Sequence, residues 1–100
     1  MNEISKVSDI TASDVADYLR LDEIGASDTN TLTTLLTVAK NYVMQYTGQT
    51  QEGMDNYPDL VIVVLILCQD MWDNRSMYVD TSNVNKVVES IMSLHAVNLL

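Results

Sequence analysis

Few residues in this chain could do chemistry, and their spacing decides what that chemistry would be. His95 is the only histidine and Cys68 the only cysteine. A Ser–His–Asp or Cys–His device needs its imidazole beside a nucleophile. One His late in an amphipathic segment offers no such spacing, and it reads as the exposed edge of a last helix. Cys68 lies inside an apolar run, where a free Cys acts as a small buried hydrophobe. Alone, it forms neither an intramolecular disulfide nor a thiolate zinc cluster. Asp28-Thr29-Asn30 opens like a calcium loop, but Leu32 and Thr33 stand where that loop needs a ligand and a glycine. Asp70 and Asp73, three apart on a helix, could bring their carboxylates together, yet no base partner or third ligand accompanies them. There is no Gly-rich phosphate loop, and Asn74-Arg75-Ser76 matches a glycosylation sequon in form only. The residues therefore predict no catalytic centre, no metal site and no cofactor: the expectation is a protein that is not an enzyme.

The elements that would position these groups read as helices. Thr11 and Asp14 fit a capping box, and Val15, Tyr18 and Leu19 continue at helical spacing to a stop near Leu21. Asp28 is the expected N-cap of a second helix. Its inner face is Leu32, Leu35, Leu36, Ala39, Val43 and Tyr46, and Gly48 supplies its stop. Residues 48–57 read as a polar loop. Pro58 and Asp59 open a third helix, expected to run to Met77, whose run Leu60 to Cys68 is apolar on all sides. Tyr78 to Ser82 reads as an extended connector or short strand. A fourth helix then carries Val84, Val87, Val88, Ile91 and Leu94, capped by Ser82 or Asn83. The fold class predicted is all-α: a small orthogonal or bundle-like domain of about four helices around a central apolar helix. It is one domain over 1–100, with an N-terminal segment over 1–10 and a connector, last helix and tail over 78–100. The expected core is Leu35, Leu36, Ala39, Val43, Val63, Leu67, Trp72, Val88 and Ile91.

Charge narrows the function classes. Fourteen acids against five bases give a formal charge of −9 in 100 residues, while 47% apolar residues suffice for a core. The bases Lys6, Arg20, Lys40, Arg75 and Lys86 are scattered singly. A duplex-binding face gathers such residues to neutralise phosphates, and an anionic membrane surface asks the same; neither partner fits. The longest apolar run, Leu60 to Cys68, falls far short of the roughly 20 residues a membrane span needs. Nothing at the start resembles a secretory signal, so the expectation is a soluble protein made in the cytosol. Residues 29–51 contain no acid and one base, Lys40. In so acidic a chain, an uncharged helix face made of Thr33, Thr34, Thr37 and Asn41 suggests contact with another protein, because depletion of charge marks interface cores. A solvated threonine face would look the same. The apolar tail with Val97, Leu99 and Leu100 is a second candidate docking element, since a chain end is normally solvated.

The order of these features resembles a family. Ser13-Asp14-Val15-Ala16-Asp17-Tyr18-Leu19-Arg20-Leu21-Asp22 is similar to the opening Tyr-Leu-Arg-hydrophobic-Asp motif of the tailed-phage head–tail connector, or DNA-packaging adaptor, proteins. Asp28, Leu32, Leu35, Leu36, Ala39, Tyr42 and the ending Tyr46-Thr47-Gly48 resemble that family's second helix. Pro58, the apolar helix after it, and Trp72 with Asn74-Arg75 resemble its third. The likeness spans about residues 13–76; beyond Tyr78 the chain departs from the pattern, with no Gly-rich hairpin and no basic ending. The resemblance implies a structural virion protein at the head–tail interface, made in the host cytoplasm. It would be one subunit of a ring joining the portal at the capsid vertex to stopper or tail-completion proteins, with DNA passing through without sequence-specific binding. Self-association would then use Thr33, Thr34, Thr37 and Asn41, and portal docking Val97, Leu99 and Leu100. An acidic chain suits a channel that must not grip phosphate.

Two readings from other classes stand beside it. A small acidic helical interaction module, an inhibitor or DNA mimic, would gather its carboxylates on one face; here they divide between residues 3–28 and 52–89. A small catalytic or metal-binding domain would have to rely on His95 and Cys68 alone.

Overall fold

The apolar run at the middle of the chain becomes the helix around which the others pack. A computed structural model describes residues 6–23, 25–80 and 84–96. They form a single 3-10 turn, Val7–Asp9, followed by five helices: α1 Ala12–Tyr18, α2 Ala26–Thr47, α3 Gln51–Met54, α4 Asp59–Asp73 and α5 Lys86–Leu94. The protein is all-α, and no strand occurs among the described residues.

In α4, Leu60, Val61, Val63, Val64, Leu65, Leu67, Cys68 and Met71 are buried. A helix this apolar all round is stable only when covered on most sides. α2 packs along it, α5 and α1 flank it, and the Val7–Asp9 turn closes one side. α2 contributes Leu32, Leu35, Leu36, Ala39 and Val43 to the same core. Thr31 and Leu35, early in α2, share a cavity wall with Met71 and Trp72, late in α4, so the two helices run antiparallel. Among the described residues Thr47 is the one buried polar residue, and its hydroxyl donates to the Val43 carbonyl at 2.7 Å.

The capping box of α1 forms as expected: Asp14 N–H donates to Thr11 Oγ1 at 3.2 Å and Thr11 N–H to Asp14 Oδ2 at 2.8 Å. Gly48 ends α2 at φ 71°, the left-handed conformation that favours glycine.

Several boundaries differ from the sequence expectation. α1 stops at Tyr18 and α4 at Asp73, rather than near Leu21 and Met77, because Arg20 and Arg75 turn left-handed. α2 starts at Ala26, so Asp28 is not the N-cap; its carboxylate accepts instead from the N–H of Gly25 at 3.3 Å. The expected loop 48–57 contains α3, which Thr50 caps and which buries Met54 completely. The cap of α5 is Asn85, whose side chain accepts from Val87 N–H at 2.8 Å; Ser82 and Asn83 lie outside the described residues. Tyr78 to Asp80 carry no regular structure. α5 buries Val88 and Met92, whereas Val87 and Leu94 stand 61% and 78% exposed. Trp72 and Ile91 are packed on the core but only partly buried.

Candidate interaction surface

Every residue of the expected interface, Thr33, Thr34, Thr37 and Asn41, is exposed on the outer side of α2. That helix spans 22 residues, about 33 Å at 1.5 Å per residue. Threonine is a poor helix former because its hydroxyl competes for backbone groups. Here the competition is resolved within the helix: Thr29, Thr31, Thr33, Thr34 and Thr37 each donate to the carbonyl four residues earlier, at 2.9 to 3.1 Å. Their hydroxyl protons are already engaged, so covering this face with another protein leaves few donors unsatisfied. With no acid between 29 and 51, it is also the stretch an acidic partner can approach with least repulsion. The other candidate, Val97, Leu99 and Leu100, lies outside the described residues.

At the start of α2 this face meets a second feature. Trp72, Arg75 and Met77 border a cavity of about 160 Å³ together with Thr31, Leu35 and Met71. The Arg75 guanidinium lies over the Trp72 ring, 5.6 Å from its centroid. Met77 and Tyr78 beside it are 50% and 67% exposed. Tryptophan, tyrosine, methionine and arginine are the residues most enriched at protein interfaces.

The two arginines of the chain are also the two non-glycine residues with positive φ among those described, Arg20 at 61° and Arg75 at 54°. Each closes a helix by the same pair of bonds: Leu21 N–H to the Ala16 carbonyl and Arg20 N–H to the Asp17 carbonyl after α1, and Ser76 N–H to the Met71 carbonyl and Arg75 N–H to the Trp72 carbonyl after α4. These are Schellman closures, in which the left-handed position normally holds glycine. A side chain there costs about 1–2 kcal/mol. Sequence reasoning missed both turns, because arginine carries no left-handed preference that a reader could use.

His95 is not on an exposed edge: its Nε2 lies 2.8 Å from Asp59 Oδ2, its ring stacks on Tyr57 with centroids 4.0 Å apart, and its carbonyl accepts from Gln49 Nε2 at 2.7 Å. Asp70 faces a cleft of about 430 Å³ shared with Asn74, Tyr78 and Asp80. Burial, and then the nearby Asp73 carboxylate, push its acid above the ordinary range. Burial pushes the Cys68 thiol up to about 12, which leaves negligible thiolate at neutral pH. No cluster of three or more His, Cys, Asp or Glu that could hold a metal ion occurs among the described residues. None of their helices is long and apolar enough to cross a membrane.

No family model matches this chain, and neither a curated protein nor a solved structure matches it.

Proposed function

We propose that the chain is a structural subunit of a homo-oligomeric ring of the head–tail connector type, and not an enzyme. The observation that carries this reading is the outer face of α2: exposed, free of acids in a chain of charge −9, and with its threonine hydroxyls bonded back to its own carbonyls. Such a face is suited to burial against protein. The motif order around Tyr18-Leu19-Arg20, Tyr46-Thr47-Gly48 and Trp72 with Asn74-Arg75 supplies the family resemblance, and the all-α architecture is compatible with it.

In the proposed mechanism the subunit acts by geometry. Head-to-tail contacts between identical copies close into a ring when the rotation per subunit divides the circle. The acidic remainder of the surface repels DNA phosphates, so a ring can surround the duplex without holding it. The portal on one side and stopper or tail-completion proteins on the other are the proposed partners, with the virion as the place of work. Sedimentation velocity over a concentration series tests the ring. A single large species that forms cooperatively supports it, and a monomer throughout contradicts it.

A further inference from the structure

We infer that Arg75, held left-handed over Trp72, is an anchor that takes a carboxylate from a second copy of the chain, while an aliphatic side chain of that copy enters the cavity beside it. The inference rests on the ring reading and adds the residues that would join neighbours. Three observations converge on it. At Gly48 the chain uses glycine for the left-handed end of α2, so the same turn after α4 had a less strained solution than arginine. Among the described residues Arg75 makes no ion pair; its guanidinium rests on an indole and stays available to an incoming acid. The cavity next to it is lined by Thr31, Leu35, Met71, Trp72, Ser76 and Met77 beside Arg75 itself, apolar but for two hydroxyls and the guanidinium, and has room for a branched aliphatic group.

Charge and topology select a second copy as the occupant. Because α2 and α4 are antiparallel, Arg75 stands at one end of the pair, while the carboxylate of Glu52 on α3 stands exposed at the other. Contact between unlike ends is heterologous, the kind that closes rings. Thr31 in the cavity wall is three residues from Thr34, so the site continues the uncharged face of α2 without a break. Burial in the cavity drives the contact and the arginine fixes its direction.

The test separates strain from binding, using the full chain as its own probe in sedimentation velocity and thermal melting. Arg75→Gly relieves the left-handed strain, so it is expected to melt higher than the parent while associating at least tenfold more weakly. Arg20→Gly, which relieves the same strain away from the cavity, is expected to melt higher and associate as the parent does. Met77→Asp, at an exposed position, should weaken association without lowering the melting temperature. If Arg75→Gly and Met77→Asp associate like the parent while Thr34→Glu does not, the anchor is overturned and the ring reading stands. If the parent is monomeric at every concentration, both are overturned.

Discussion

His95 and Asp59, thirty-six residues apart, meet at 2.8 Å and fasten the end of α5 to the start of α4. Tyr57 stacks on the imidazole, and Tyr46 Oη and Ser93 Oγ form a further hydrogen bond at 3.2 Å between α2 and α5. The one histidine of the chain thus serves as a clasp, holding in place the helix that leads into the C-terminal segment.

Removing that clasp should be measurable. His95→Ala loses a stacked ring and a hydrogen bond, together about 1 kcal/mol. The urea midpoint should fall, and hydrogen exchange should quicken in the last turn of α5 before it does in α4. An unchanged midpoint with unchanged exchange would show that the contact contributes nothing.

The core makes a larger demand. Leu67→Ala in α4, at a site only 2% exposed, should cost ~2–5 kcal/mol by lost transfer energy plus a residual cavity. Leu36→Ala in α2, at 7%, should fall in the same range near its lower edge. Urea titrations giving losses under about 1 kcal/mol would misplace the core.

Much of this architecture was legible in the sequence, for identifiable reasons. The spacing of Leu32, Leu35, Leu36, Ala39 and Val43, the run Leu60 to Cys68 and the Gly48 stop each state a local preference that agrees with the global packing. What escaped has a physical cause in each case. α3 is a single turn with one buried side chain, Met54, too short to show a period. Val87 and Leu94 belong to the same apolar arc as Val88 and Met92, so periodicity could not tell which part of the arc α5 buries. The threonine face was visible as composition, but its bonding back to the helix carbonyls depends on rotamers. Arg75 was visible only as a basic residue, since its meaning lies in a backbone angle and in the indole beneath it.

Acid should release one tether in a predictable direction. Ser8 donates its backbone N–H to Asp55 Oδ1 at 3.0 Å and its hydroxyl to Asp55 Oδ2 at 2.7 Å. These bonds hold the Asp55 carboxyl below its ordinary value of 3.8. A depressed folded-state value gives stability that is full above the ordinary value and lost as pH falls through the folded one. Asp55→Asn should therefore be less stable than the parent at neutral pH, and the gap should close in acid. A gap independent of pH would contradict the tether.

Asp70 should behave in the opposite sense. Its acid is raised first by burial and then by Asp73, so the ionised form is disfavoured in the folded state. The contribution improves as pH falls through the raised value. Asp70→Asn should match or exceed the parent's stability at neutral pH and lose that advantage in acid. A variant clearly less stable than the parent at neutral pH would mean that the carboxylate is held by a favourable contact.

Strain at the helix ends gives a further check. Arg20→Gly should gain about 1 kcal/mol from relief of the left-handed backbone, raising the melting temperature by a few degrees, ~4–8 °C for a domain of this size. A lower melting temperature would show that the Arg20 side chain stabilises the end of α1 by more than its backbone costs.

The most direct test of the account is a native mass spectrum of the parent and of Thr34→Glu over one concentration series. The variant places a carboxylate on the exposed, uncharged face of α2 and leaves the core untouched. The account expects a discrete closed oligomer for the parent and its loss, or dissociation at much higher concentration, for the variant, with both chains equally folded. A parent that stays monomeric, or a variant that assembles as well as the parent, would contradict the claim that this face joins the subunits.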